Sequence, residues 1–290
     1  MTLENVISTC CSRDLAVWKV AAPRIVARIR SQAYTLIVPA PEVPLFVRET
    51  PGDFTVVAEA ALVGPAFRQQ LRARVALSPH GLRRYGWYLQ QFVKLAALKA
   101  VSAQGLALIW DADAVPLNTL SFVRQGRVAF YKGHERHEPY FRAVDRLLGM
   151  PKRNDFSFIA QCLPCKGSWA RQFFALIEQR AGKSWKRAVL DSVNFGAKSG
   201  FSEYETLGTF VHNTYPDQIV VLGKRWCRRG NGLIGSVRHL GVMAPLLRFK
   251  YDYISFERWD RAYSHWFDAS ARRRINGVLT SVQSRCLWRR

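Results

Sequence analysis

Acidic residues are scarce in this chain: 21 Asp and Glu stand against 43 Lys and Arg, a formal net charge of +22 over 290 residues. Such an excess draws a protein to polyanions, whether nucleic acid, an anionic membrane or a phosphorylated substrate, and by itself does not choose among them. Long apolar runs are also missing, since none reaches the roughly 18–20 residues that span a bilayer. Met1-Thr2-Leu3-Glu4-Asn5 has no basic stretch followed by an apolar one, so no secretory signal is expected there and a cytosolic location follows by default. Six cysteines are too few for a disulfide framework in a chain of this length. Cys162-Leu163-Pro164-Cys165 has CxxC spacing but no second pair, so free thiols are expected over a zinc site. Internal repeats and low-complexity stretches are absent.

What is present reads as a globular chain: 49% of residues are hydrophobic and 12% aromatic, which excludes a disordered basic tail. Apolar runs at 5–8, 34–38, 54–58, 106–110, 127–131 and 219–222 predict strands. Helical spacing is clear over 86–103, where Leu89, Phe92, Val93, Ala96, Ala97 and Ala100 fall at i, i+3, i+4. Further helices are expected at 15–30, where Pro23 invites a break, and at 169–180. Strands alternating with helices imply an α/β fold with a mixed, mostly parallel sheet flanked by helices.

Against the shortage of acids, Leu106-Ala107-Leu108-Ile109-Trp110 ends in Asp111-Ala112-Asp113. A buried strand stopping at Asp-x-Asp places two hard oxygen ligands where open α/β sheets bind ligands. In extended chain the two side chains share a face. Such ligands suit Mg²⁺ or Mn²⁺ bridging to a diphosphate, whereas a polar turn is the plainer use of the same residues. Gln90, Gln91 and Lys94 lie on the polar side of the preceding helix, either reaching a nucleotide or facing solvent.

Ser202-Glu203-Tyr204-Glu205 fits a capping box, with Ser202 as N-cap and Glu205 as its reciprocal partner. That leaves Glu203 at the helix N-terminus, kept ionised by the dipole and suited to act as a general base; if Glu205 faces the cleft instead, the roles exchange. His239 is a candidate third metal ligand from the C-terminal side, as is His212, although lone histidines are more often structural. His134 and His137 either face an acceptor or sit in a solvated loop. Arg225, Arg228 and Arg229 lie in a Gly-containing stretch, 224–235, that reads as a mobile loop able to close on phosphate.

In order, Gly86-Trp87-x-x-Gln90-Gln91-x-x-Lys94-Leu95, Asp111-x-Asp113 and Ser202-Glu203-Tyr204-Glu205 resemble the layout of a poorly characterised family of bacterial GT-A-type glycosyltransferases, across roughly residues 5–240. The resemblance implies a GT-A, Rossmann-like fold, a nucleotide-diphosphosugar donor, and Mn²⁺ or Mg²⁺ held by Asp111 and Asp113. It also implies a pocket for the donor's base and ribose near 9–14, with Thr9 and Arg13 as donor contacts beside Gln90, Gln91, Lys94, Asp111 and Arg228. The acceptor is then a hydroxyl, expected on a lipid-linked or surface glycan. The catalytic domain is expected over 1–245, with a basic aromatic extension over 246–290.

Tyr251–Trp259, Arg272-Arg273-Arg274 and Trp288-Arg289-Arg290 mix aromatics with arginine as interfacial helices do, so a peripheral place on an anionic inner-membrane surface is expected. The competing expectation is a basic nucleic-acid binder without transferase activity. It has the charge, but no helix-turn-helix, RNA-recognition or zinc-finger signature, so no specific nucleic-acid partner is expected.

Overall fold

The computed structural model describes residues 2–263. The first half runs β1 (Leu3–Thr9), α1 (Leu15–Arg28), β2 (Ser31–Val38), α2 (Val43–Glu49), β3 (Phe54–Ala58), α3 (Pro65–Ala76), α4 (Tyr85–Ala97), β4 (Leu106–Trp110) and β5 (Ala114–Pro116). The second continues β6 (Val123–Arg124), β7 (Arg127–Tyr131), α5 (Glu138–Leu148), β8 (Cys162–Lys166), α6 (Gly167–Ala181), α7 (Trp185–Ser192) and α8 (Glu203–Thr214). It closes with β9 (Ile219–Leu222), β10 (Trp226–Cys227), α9 (Gly230–Ile234), α10 (Leu240–Leu247) and β11 (Tyr253–Ser255).

The central sheet has the order β3-β2-β1-β4-β8. Its first four strands are parallel, with Val6 facing Tyr34 on one side and Leu108 on the other; β8 is antiparallel, Ile109 facing Leu163. This is the expected mixed, mostly parallel sheet with helices around it. Every residue of β4 is buried, as a strand covered on both faces requires. From β1 the chain winds outward to β2 and β3, then returns to the other side of β1 as β4. The strand order therefore reverses between β1 and β4, and a crevice opens beyond their carboxyl ends. Thr9 and Asp111 stand at those ends.

Two small sheets flank this edge. β5, just past the Asp-x-Asp, pairs antiparallel with β11, Ala114 facing Ser255 and Pro116 facing Tyr253, and β10 joins on β11's far side. β7 lies between β6 and β9. Trp110 ties the β5–β11 layer to the main core: its indole N–H donates to the Ala114 carbonyl at 2.8 Å, and its ring meets Tyr253 edge-on at 5.3 Å.

Several expectations change. Pro23 does not break α1; the carbonyl it leaves unbonded is that of Lys19, an exposed residue that water can serve. Helix α4 ends at Ala97 in a short 3-10 turn, Leu98–Ala100, short of residue 103. The stretch 224–235 is not a bare loop but β10 and α9, tied down by Arg225 to Asp252 and by Asn231 to the Glu257 carbonyl. The expected boundary after 245 falls inside α10, and Tyr253, Ile254 and Phe256 are buried beside the Asp-x-Asp, so Tyr253 and Phe256 belong to strand and core instead of an interfacial helix, while Trp259 is exposed. Arg272–Arg274 and Trp288–Arg290 lie outside the described residues. Among those described, no helix is long and apolar enough to cross a membrane.

Candidate active site

A cavity of about 610 Å³ fills the crevice, a size that suits a small-molecule ligand. Its floor is the turn after β4. The Asp111 N–H donates to the Gln161 carbonyl and the Ala114 N–H to the Asp111 carbonyl, both at 2.9 Å. Asp111 and Asp113 are thus held in a turn, not in the extended chain first expected, yet both line the cavity.

Lys94 organises one side. Its Nζ donates to Asp111 Oδ1 at 2.6 Å and to Glu203 Oε1 at 2.8 Å, and lies 4.6 Å from the centre of the Tyr204 ring. The Tyr204 hydroxyl donates to the same Asp111 oxygen at 2.6 Å. Both bonds on Asp111 fall on Oδ1; among the described residues Oδ2 accepts none. Although burial opposes its charge, the two carboxylates hold the Lys94 ammonium protonated above its ordinary range. The expected polar face of α4 is therefore not a solvated one: Gln91 and Lys94 are buried and face the site.

Gln91 works on the backbone. Its amide donates to the Trp87 carbonyl at 3.3 Å, and its Oε1 accepts the Glu203 N–H at 3.1 Å, satisfying a helix N-terminal donor of α8. Ser202 caps the same helix through the Glu205 N–H at 3.3 Å. The reciprocal half of the expected capping box does not form. Glu205 turns away from the cavity and accepts from Lys152 Nζ at 2.6 Å, the Ser157 hydroxyl at 2.9 Å and the Phe158 N–H at 3.2 Å. Of the two expected catalytic carboxylates, only Glu203 lines the cavity.

Asp113 occupies the other side. Ser255 Oγ donates to it at 3.2 Å, and its carbonyl accepts the Phe256 N–H at 2.8 Å. Burial, and then the nearby charges of Glu257, Asp111 and Asp14, push its carboxyl well above the usual range. Carboxylates gathered in this way suit a divalent cation that keeps several waters and takes one or two carboxylates plus a substrate phosphate. Asp111 and Asp113 fit that role. His239 does not: it is exposed, its Nδ1 lies 2.7 Å from the Ile234 carbonyl, and it is no part of the cavity wall. His212 packs beside Phe156 and Phe158. His134 is exposed, and His137 Nε2 lies 2.8 Å from the Ser199 carbonyl. Among the described residues no cluster of three or more His, Cys, Asp or Glu could hold a metal without help from a ligand.

Thr9, Arg13, Gln90 and Arg228 also line the cavity. The Thr9 hydroxyl is buried with no partner among the described residues. Arg228 is paired with both Glu135 and Glu257, which keep it firmly protonated. Arg83 and Arg84 reach the same wall and have no carboxylate partner among the described residues; Arg84 stacks on Trp87, 4.2 Å from the ring centre. Sequence reasoning missed Tyr204, Glu257, Arg83 and Arg84. Tyr204 stood inside a motif already singled out; Glu257 lay in a stretch assigned to the tail. Cys162 and Cys165 are buried, and neither forms a disulfide.

A comparison with curated protein sequences finds no match. Among solved structures, mouse xyloside xylosyltransferase 1 in its apo form is similar at 11% identity, covering 88% of this chain and 98% of that one, with a TM-score of 0.45. The galactosyltransferase LgtC, in complex with donor and acceptor sugar analogues, is similar at 12% identity over 87% of this chain and 86% of that one, with a TM-score of 0.49. An active-site mutant of LgtC gives 14% identity, 92% and 95% coverage and a TM-score of 0.48. Likeness at that level carries no weight for activity. Residues 26–215, well over half of the chain and including Lys94, Asp111, Asp113 and Glu203, match the model of a family of unknown function, DUF6492, and the chain belongs to that family.

Proposed function

We propose that this protein is a GT-A-type glycosyltransferase that moves a sugar from a nucleotide-diphosphosugar to a hydroxyl acceptor. The observation that carries the reading is the pairing of Asp111 and Asp113, at the reversal of strand order, with Arg83, Arg84 and Arg13 across one cavity. A diphosphate needs both partners: cations for its oxygens, and carboxylates for the cation it brings. Thr9 and Arg13, with Ile37 and Pro39 as an apolar wall, would take the donor's base and ribose. Mg²⁺ or Mn²⁺ on Asp111 and Asp113 would neutralise the departing diphosphate.

In the reaction the acceptor oxygen attacks the anomeric carbon. The bond from that carbon to the diphosphate oxygen breaks, and its electron pair leaves with the diphosphate. The acceptor's proton passes to Glu203, which Lys94 holds in place by its hydrogen bond. Arg83, Arg84 and Arg228 stabilise the leaving charge. The acceptor is a glycan, and the exposed surface described below favours a lipid-linked one.

Thermal shift against a panel of nucleotide sugars, with and without Mn²⁺, tests the reading. A metal-dependent rise with one donor is expected, together with slow metal-dependent donor hydrolysis that Asp111→Ala abolishes. Full turnover by Asp111→Ala would overturn the proposal. So would a panel without any response together with sequence-selective binding of a nucleic acid by the same protein.

A further inference from the structure

Helix α10 turns an apolar face outward. Val242, Leu246 and Phe249 are 85%, 67% and 71% exposed, and Pro245 is exposed among them. Val242, Pro245 and Leu246, at i, i+3 and i+4, lie along one side of the helix and Phe249 follows in the turn just past its end, while Leu240 and Leu247 are buried. Exposed side chains of this size in a contiguous stripe mark an interaction surface more than ordinary surface composition does.

The charge around the stripe identifies the partner. Between Asp217 and Asp252 the sequence has no Asp or Glu, whereas Lys and Arg recur throughout. Arg238, Arg248 and Lys250 border the stripe, are exposed, and form no ion pair among the described residues. An apolar stripe with cations alone at its edges complements anionic headgroups over acyl chains. A protein partner would need a matching acidic rim around an apolar centre; a lipid surface supplies both layers without further specification.

We propose that α10 docks this protein on an anionic lipid surface, with Val242, Leu246 and Phe249 entering the headgroup–acyl boundary and Arg238, Arg248 and Lys250 binding lipid phosphates. The docking stands without the transferase reading.

Co-sedimentation of the full chain with vesicles tests this without donor or acceptor, so its outcome is separate from that of the activity assays. Vesicles of phosphatidylcholine with a quarter phosphatidylglycerol are compared with phosphatidylcholine alone. The intact protein is expected to bind only the anionic vesicles. The double variant Leu246→Glu/Phe249→Glu is expected to bind at least tenfold less, with an unchanged thermal midpoint. Arg248→Ala/Lys250→Ala, which keeps Val242, Leu246 and Phe249, is expected to lose about fivefold for each charge. Unchanged vesicle binding by the Leu246→Glu/Phe249→Glu variant overturns the proposal. If that variant also melts earlier, the face belongs to residues 264–290 or to a protein partner.

Discussion

Replacing Lys94 with methionine keeps the length of the side chain and removes its charge. The side chains of Lys94 and Glu203 are 4% and 6% exposed and that of Asp111 is 19% exposed, so the variant leaves two poorly hydrated carboxylates without their counter-ion. Breaking a buried ion pair from one side costs about 3–5 kcal/mol. Asp111 keeps its bond from Tyr204 and borders the cavity, which favours the low end, about 3 kcal/mol. In a chain of this size that corresponds to a fall of roughly 6–12 °C in Tm. Urea denaturation followed by circular dichroism reads the loss directly. A second reading comes from Mn²⁺. Lys94 and a divalent ion compete for Asp111, so Lys94→Met without divalent ions should be the least stable form, and Mn²⁺ should raise its midpoint more than it raises that of the unaltered protein. A loss below about 1 kcal/mol would refute the dependence of the two carboxylates on Lys94. An equal response to Mn²⁺ in both proteins would refute the competition.

Asp113→Asn relieves the crowding with Asp14, Asp111 and Glu257, so its midpoint without divalent ions should rise, while the gain on adding Mn²⁺ should disappear; scanning fluorimetry with and without chelator measures both. Glu203→Gln should lower kcat by at least ~100-fold, the usual range for a lost general base, with the midpoint falling by a few degrees at most. Glu205→Gln should behave in reverse, losing about 1–3 kcal/mol through Lys152 while the folded fraction keeps its turnover number. Gly208→Ala should cost about 1–3 kcal/mol by denaturant titration, because the added methyl would lie 2.2 Å from Phe158 Cγ inside the core.

Strands of the central sheet and of the β6-β7-β9 sheet were legible because they are largely apolar runs between polar breaks. The ranges 54–58, 106–110, 127–131 and 219–222 agree with β3, β4, β7 and β9. Strand β8 was not read as a strand, because its cysteines drew attention to their spacing; it contains Pro164. It is an edge strand, where a missing N–H costs no sheet partner. The stretch 251–259 was misread for a related reason. Tyr253 and Phe256 sit among basic residues that suggest a membrane surface, and only the pairing of β11 with β5 shows them covered. The surface that does suit lipid is α10, whose exposed face no periodicity argument could assign, since an apolar helix reads equally well as core.

The sequence by itself determined that a buried strand ends in Asp111 and Asp113, that Ser202 starts a helix, and that cations far outnumber acids. These are properties of neighbouring residues, and local chain geometry is enough to read them. Only the tertiary structure decided that Lys94 reaches both Asp111 and, 109 positions away in sequence, Glu203, that Glu205 belongs to Lys152, and that Glu257 crowds Asp113. Side-chain period says which residues share a face of a helix or strand. It does not say what stands opposite, and in a low-dielectric cavity the opposing charge sets whether a carboxylate binds a metal, takes a proton or simply holds a lysine.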